Sequence, residues 1–150
     1  MSQSILLKLI NFWPPYLGAG IRVKKMSQDM RAIDVEMKLR WWNKNYIGTQ
    51  FGGSLYAMAA PFYMLMLIKN LGKEYIIWDK AATVRFKRPG KDRVHAQFRL
   101  TQEHIDSIRK QADLGPKTEP LLQVLIKDDA GNIIAEIDKT LHVRKKEQYR

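Results

Sequence analysis

Polar and apolar residues alternate with a period of two in several stretches of this chain, and the alternation predicts β-strands. In residues 33–41 every odd position is apolar and every even position is charged. A strand with this pattern has one face on a core and one face in water. Residues 21–26 precede it across a polar turn at residues 27–29, so the two runs predict an antiparallel hairpin.

The same period returns in the second half of the chain and predicts four more strands. In residues 76–87 we expect Ile76, Trp78, Ala82, Val84 and Phe86 on the core face, and Asp79, Thr83, Arg85 and Lys87 on the polar face. Residues 94–100 follow a Pro-Gly turn and complete this hairpin. Residues 101–114 predict a helix with Thr101 as N-cap, and residues 121–127 and 133–143 predict the last hairpin.

Residues 45–72 break the alternation. A Gly-rich turn at residues 48–53 leads into an apolar run, residues 55–68, that carries no charge before Lys69. Because apolar side chains occur all round the predicted helix, we expect that helix to be buried on every side. Strands with a single apolar face need a cover. The sheet is therefore expected to curl around this helix.

The chain ends carry weaker signals. Residues 4–10 predict a short amphipathic helix with Ser4 as N-cap, stopped by Pro14 and Pro15. We expect this segment to form a lid over one end of the core, and the alternative is that Phe12 and Trp13 enter a membrane surface. Residues 145–150 form a polar tail that we expect to be frayed. The length of 150 residues predicts a single domain, residues 1–150.

Composition and charge narrow the classes of function. The chain has no cysteine, which excludes disulfides and thiolate metal sites, and its three histidines lack metal-ligand spacing, so no metal is expected. We see no signal peptide, and the apolar run is shorter than the roughly 20 residues of a membrane span. A cytoplasmic, soluble protein is therefore expected. The net charge of +11 predicts attraction to nucleic acid, anionic lipid or a phosphate-bearing ligand, or simply a solvated basic surface.

The turn before the apolar helix carries a family resemblance. The pattern Asn45-x-x-Gly48-Thr49-x-Phe51-Gly52-Gly53 is similar to the motif N-x-x-G-T-x-H-G-G of the hotdog-fold acyl-CoA thioesterase superfamily. Residues 75–89 look like the uncharacterised thioesterase-like branch of that superfamily. The resemblance covers about residues 20–144 and implies an α+β hotdog fold, with a long central helix wrapped by a curved antiparallel sheet of about six strands.

The resemblance also implies a reaction and a set of catalytic candidates. Thioester hydrolysis would use Asn45 and Thr49 to orient water, and the backbone amides of Gly52 and Gly53 to polarise the carbonyl. Asp79 is the candidate for the base. Each has a plainer alternative: the glycines permit close packing, Asn45 caps its own turn, and Asp79 pairs with Lys80 or Arg85. Coenzyme A would enter as part of the substrate, with no separate cofactor, at a site between the subunits of a homodimer or homotetramer.

A basic turn supplies candidates for binding the substrate. Arg85, Lys87, Arg88 and Lys91 surround the Pro89-Gly90 turn. Coenzyme A carries several phosphate charges, which arginine and lysine bind well. The alternative is a solvated basic turn. Nucleic-acid binding is not expected, because no stacking aromatic residues interleave with the basic clusters.

Two positions depart from the family pattern. Phe51 replaces the motif histidine, which argues against a dehydratase of this fold. Ala60, followed by Pro61, stands where active relatives carry an aspartate or glutamate on the helix. An alanine cannot activate water. A non-catalytic protein that binds acyl-CoA or another acyl ligand is therefore the main alternative to a thioesterase.

Overall fold

The computed structural model describes residues 2–150, which form one antiparallel sheet around a central helical segment. The helices are α1 (Gln3–Asn11), α2 (Pro14–Ala19), α3 (Gly52–Ala57), α4 (Phe62–Leu71), α5 (Gln102–Leu114) and a final 3-10 turn, Glu147–Tyr149. The strands are β1 (Ile21–Met26), β2 (Ala32–Met37), β3 (Tyr75–Phe86), β4 (Val94–Arg99), β5 (Leu121–Asp128) and β6 (Ile133–Lys145). The sheet order is β1-β2-β4-β5-β6-β3, with every pair antiparallel.

The core lies between the concave face of the sheet and the central segment, as the alternation predicts. Phe62 of α4 packs on Phe98 of β4, with ring centroids 5.0 Å apart, and Tyr63 approaches the same ring at 5.2 Å. The odd positions of β2 are buried beside them. The predicted helix over residues 101–114 is also confirmed, because Thr101 caps α5 through a hydrogen bond from the His104 amide.

The central helix is interrupted, which the apolar pattern did not predict. A turn at residues 58–61 separates α3 from α4. Pro61 has no backbone N–H, so it cannot bond the carbonyl of Ala57 one turn earlier. That carbonyl instead accepts a hydrogen bond from the hydroxyl of Tyr16, at 2.7 Å. The expectation of burial on every side is also wrong, since Ile68 is 44% exposed.

The predicted strand over residues 33–41 is too long. β2 ends at Met37, and Trp41, expected on the core face, is 81% exposed. The side chain of Asn43 reverses the chain here: its amide donates to the carbonyls of Ala19 and Lys38, and its oxygen accepts from the Arg40 amide. Local side-chain bonds of this kind compete with a strand ladder, and here they end it.

A bulge in β3 overturns the predicted faces of that strand. The register with β6 shifts between Asp79 and Ala81, so Lys80 is the extra residue. One inserted residue moves every earlier side chain to the opposite face. Asp79 therefore lies on the helix-facing side rather than the polar side, and Trp78 lies on the outer side, stacked on His142 at 4.0 Å.

The two chain ends are more ordered than expected. Ser2, not Ser4, caps α1, which ends at Asn11 before the two prolines, and Pro14 begins a separate helix, α2, that the sequence did not predict. The tail does not fray: β6 continues to Lys145, and the Arg150 guanidinium donates to the carbonyls of Gly115 and Pro116. Within residues 2–150, none of the helices combines the length and hydropathy that crossing a bilayer would require.

Candidate active site

A cavity of about 380 Å³ lies where the Gly-rich turn, the start of α3 and the end of β3 meet. Its walls are formed by Asn45, Ile47, Thr49, Gln50, Gly52, Leu55, Phe86, Lys87, Arg88, Pro89 and Gly90. The fold thus brings part of the predicted catalytic set and part of the predicted substrate-binding set to one place. Gly53, Asp79, Arg85 and Lys91 do not line this cavity.

The side chain of Asn45 holds the turn together. Its oxygen accepts from the backbone amides of Ile47 and Thr49, at 3.1 and 2.9 Å. Its amide donates to the Thr49 hydroxyl at 2.9 Å and to the Gln50 carbonyl at 3.3 Å. Two acceptor and two donor positions are therefore used inside the turn, which is the local capping role that the sequence left as an alternative.

Thr49 keeps one free hydrogen-bonding function in the cavity wall. Its hydroxyl oxygen accepts from the Asn45 amide, and within residues 2–150 the hydroxyl hydrogen has no acceptor. A threonine hydroxyl can donate and accept at the same time. Thr49 can therefore orient a water or a ligand carbonyl, in an orientation that Asn45 fixes.

The first two amides of α3 are also available as donors. In the described part of the chain, neither Gly52 nor Gly53 donates its backbone N–H to an acceptor, as expected for the first turn of a helix. Aromatic rings explain the glycines themselves. A Cβ at Gly52 would lie 3.2 Å from the Phe86 ring, and one at Gly53 would lie 2.6 Å from the Phe51 ring. Phe51, in the place of the motif histidine, thus covers Gly53, while Gly52 faces the cavity.

Gln50 is a wall residue that sequence reasoning missed. It is buried, and its amide donates to the carbonyls of Met37 and Asp92, which ties the turn to the end of β2 and to the loop before β4. Its side-chain oxygen is buried without a partner in residues 2–150. A buried glutamine next to a glycine motif carries no distinct sequence signal, because only the fold brings Met37 and Asp92 to it.

Two of the four predicted cations lie in the cavity wall. Lys87 and Arg88 are exposed there, and Arg88 donates to the Asn132 side chain at 3.0 Å. Arg85 instead bonds Asp138 at 2.6 Å on the outer face of the sheet, and that hydrogen bond lowers the pKa of the Asp138 carboxyl. Lys91 is exposed beyond the turn.

Asp79 belongs to a second polar cluster, away from the cavity. Its carboxylate lies 3.0 Å from the ammonium of Lys139, a lysine of β6 with no exposed side-chain area. The same ammonium donates to the hydroxyl of Tyr56 on α3, at 3.2 Å. The predicted pairing partners of Asp79 are wrong, since Lys80 pairs with Glu119. Sequence reasoning missed Lys139 because an isolated lysine in a strand usually points to water.

The position where the family pattern places an acid holds no polar side chain. Ala60 lies half-buried in the turn between α3 and α4. In residues 2–150, no group of three or more histidine, aspartate and glutamate side chains could hold a metal ion. The Asp79–Lys139–Tyr56 cluster contacts the central segment through Tyr56 of α3.

The family and the fold can now be stated. The family model of a domain of unknown function, DUF4442, matches residues 2–143, and the chain belongs to this family. No curated protein matches the chain. A Pseudomonas aeruginosa protein of unknown function, described as a probable thioesterase, is similar with a TM-score of 0.84 and 21% identity over 97% of both chains.

Two further solved structures support the same architecture. A Chlorobaculum tepidum protein of unknown function has a TM-score of 0.74 and 16% identity, over 95% of this chain and 94% of its own. A Haemophilus influenzae thioesterase has a TM-score of 0.67 and 14% identity, over 97% of this chain and 92% of its own. These likenesses confirm the α+β hotdog fold that the turn motif implies.

Proposed function

We propose that this protein hydrolyses acyl-CoA or a related acyl thioester at a site between two subunits. The observation that carries the proposal is the cavity that joins the free amide of Gly52 and the hydroxyl of Thr49 to the cations Lys87 and Arg88. A thioester needs donors at its carbonyl, and coenzyme A needs cations at its phosphates. The thioesterases among the structural neighbours support the same class of reaction.

The second subunit is proposed from the exposed edge of the sheet. β3 pairs with β6 on one side only, and residues 78–86 are exposed almost throughout. An uncovered strand edge of this length is a template for a second copy, and a two-fold pairing makes it self-complementary. An axis at Ala82, the middle of that run, pairs Ala81 with Thr83, and because Lys80 is the bulge residue it places Asp79 of one chain opposite Val84 of the other. Asp79 of the partner subunit then lies on the helix-facing side beside Val84, two positions before Phe86 in the cavity wall.

This arrangement supplies a base to a cavity that lacks one. In the proposed step, a water oxygen attacks the thioester carbonyl while the Asp79 carboxylate of the partner takes the water proton. The Gly52 amide and the Thr49 hydroxyl donate to the carbonyl oxygen as it becomes negative. The carbon–sulfur bond then breaks, and the thiolate of coenzyme A leaves and takes up the proton. In each subunit, the Lys139 ammonium holds the Asp79 carboxylate in position and itself donates to the Tyr56 hydroxyl.

The alternative function is non-catalytic binding of an acyl ligand. Ala60 favours it, because the usual acid is absent, and so does Asn45, whose side-chain bonds are all used inside the turn. In this case the cavity and its cations bind the thioester, and nothing activates water. Both functions predict that the thioester binds, but only the first predicts that it is cleaved.

Release of free coenzyme A from a panel of acyl-CoA esters of different chain length tests the proposal. We expect turnover by the wild type, a loss of about 100-fold or more in kcat for Asp79→Asn, and a smaller loss for Thr49→Val. Thr140→Val is the matched control, because Thr140 lies on the outer face of β6, opposite Ala81, and should leave kcat unchanged.

Binding measured by calorimetry separates the two functions. Lys87→Ala with Arg88→Ala should weaken binding of coenzyme A, whereas Arg85→Ala with Lys91→Ala, outside the cavity, should change it little. If every ester binds and none is cleaved above background, the protein is an acyl-ligand binder and the hydrolysis proposal fails. If neither binding nor cleavage is detected, both functions fail.

A further inference from the structure

The outer face of α1 is apolar although it faces water. Ile5, Leu9 and Phe12 follow the spacing i, i+4 and i+7, which places them on one side of the helix. All three are exposed, and Phe12 is 71% exposed. The opposite face of α1 is already used, because Leu6 and Ile10 pack against the core. α1 therefore serves as a lid with its inner face and presents a second apolar stripe outward.

The apolar surface continues from α1 into α2 and the turn after β2. Leu17 of α2 and the adjacent Trp41 and Trp42 are all exposed. The Asn43 amide bonds the Ala19 carbonyl at 2.9 Å, which fixes this turn beside α2. Phe12, Leu17 and Trp42 share the wall of one cavity of about 650 Å³. Counting Trp13 at the start of α2, three of the four tryptophans of the chain lie on this side.

Cations surround the same cavity. Lys8, Arg22, Lys38 and Arg40 line it, and within residues 2–150 none of the four forms a salt bridge. Its single carboxylate, Glu36, is neutralised by Lys24 at 3.7 Å and Arg93 at 3.6 Å. The Arg40 guanidinium lies over the Trp42 ring, 5.3 Å from its centroid. We call this apolar and basic region, made of residues 5–17, Arg22 and residues 38–42, the N-terminal surface.

We propose that the N-terminal surface binds the surface of an anionic lipid bilayer. Tryptophan and phenylalanine are favoured at the boundary between headgroups and acyl chains, and lysine and arginine reach back to the phosphates. The four unpaired cations and the net charge of +11 match the negative potential of such a bilayer. The apolar side chains project from a helix and a turn, a geometry that enters a soft interface readily. The proposal is independent of the thioesterase proposal, because no residue is shared between the two cavities.

Co-sedimentation with lipid vesicles tests this proposal. We expect the protein to bind vesicles that contain phosphatidylglycerol and not vesicles of phosphatidylcholine alone, with binding that weakens as salt is added. Lys38→Glu with Arg40→Glu should lower the affinity by about thirtyfold or more, from about fivefold for each cation lost. Phe12→Ser with Trp41→Ser should lower it by at least about tenfold.

Matched controls and a fluorescence signal distinguish insertion from general charge attraction. Leu114→Ser with Leu121→Ser removes two apolar side chains of similar exposure elsewhere on the chain and should bind vesicles as the wild type does. Trp78→Phe leaves only the tryptophans of the N-terminal surface, so its emission should shift to shorter wavelength on binding. The fold of each variant is checked by thermal unfolding.

Three results would overturn the proposal. The first is the absence of binding to anionic vesicles, and the second is equal binding by the Phe12→Ser, Trp41→Ser variant. The third is a combined result: light scattering shows that the Phe12→Ser, Trp41→Ser variant has a different oligomeric state from the wild type, and the wild type does not bind vesicles. That result would assign the surface to contacts between copies of the chain.

Discussion

The two edges of the sheet differ in whether other parts of the chain cover them. At the β1 edge, the side chain of Asn11 donates to the Val23 carbonyl at 3.1 Å and accepts from the Val23 amide at 2.8 Å. This amide occupies the place that a further strand would take, and α1 and α2 cover the rest of the edge. At the β3 edge, a strand twice as long, 12 residues against 6, has no neighbouring strand on its outer side within residues 2–150.

This difference separates the part of the molecule that is complete in one chain from the part that is not. A sheet edge that is short and capped avoids pairing with other chains, and a long open edge invites it. The open edge also lies beside the Asp79–Lys139–Tyr56 cluster and ends at the cavity. The function that we propose therefore depends on the open edge, and the lid at the closed edge is free for the second, membrane-binding role.

The largest expected effect comes from breaking the open edge. Ala81 and Thr83 are related by the proposed two-fold axis at Ala82, so Ala81→Lys with Thr83→Lys places like charges opposite each other twice. We expect the dimer dissociation constant to rise by more than about 100-fold. Ala81→Lys with Thr83→Glu is the matched control, which places opposite charges there and should remain dimeric. Light scattering after size-exclusion chromatography measures both, and a Lys-Lys variant as dimeric as the wild type would contradict this pairing.

The next effect concerns the polar cluster beneath the open edge. Asp79→Ala leaves the fully buried Lys139 ammonium without its carboxylate and should cost roughly 2–3 kcal/mol of unfolding free energy, moderated because Asp79 is partly exposed. Lys139→Met replaces the buried charge with an apolar chain of similar length and should stay within about 1 kcal/mol of the wild type. Urea unfolding compares them. A greater loss of unfolding free energy for Lys139→Met than for Asp79→Ala would contradict the view that the unpaired lysine charge is the costly one.

The closed edge should respond to the loss of its cap. Asn11→Ala removes two hydrogen bonds and exposes the Val23 backbone, so we expect a loss of about 2 kcal/mol in unfolding free energy. Ser4→Ala on the same helix is the control, since Ser4 bonds only Ser2 and is exposed. Hydrogen exchange at the Val23 amide should speed up in the first variant alone. Unchanged exchange there would mean that α1 protects the edge without the amide.

The smallest effect is a pH dependence of stability at His142 of β6, which Trp78 of the open edge covers. Burial, and then the charge of Lys117, lower the pKa of His142, on which Trp78 stacks. Because the unfolded histidine binds its proton more tightly, stability is fully present above about pH 6.5 and decreases as the pH falls from there toward the lower folded pKa. Unfolding in urea between about pH 7.5 and 5.5 measures this slope. His142→Gln should flatten it, and an unchanged slope would assign the effect to other groups.

Much of the fold could be predicted from local pattern, and the failures have specific causes. Alternation located the six strands, and Thr101 located the start of α5. The pattern failed at Pro61, where a missing N–H divides the helix, and at Lys80, where a bulge reverses the faces of β3. Both are single-residue events whose effect spreads along an element.

The candidate site was predicted in part. The sequence brought Asn45, Thr49 and Gly52 together because they lie within eight residues, and it marked Lys87 and Arg88 by their charge. It missed Gln50 and Lys139, because their partners lie far away along the chain. The pairing of Asp79 with Lys139 depends on the bulge at Lys80, and no residue in that stretch indicates a bulge.

The sequence by itself determined the alternation of the strands, the apolar segment that they enclose, and the turn from Asn45 to Gly53. These are local properties, fixed by side-chain period, by glycine and proline, and by bonds between near neighbours. Only the tertiary structure decided which edge of the sheet is closed and which is open, that Asp79 faces Lys139, and that aromatic and basic residues share the N-terminal surface. Those features depend on contacts between segments that lie far apart in the sequence, so the pattern of any single segment cannot indicate them.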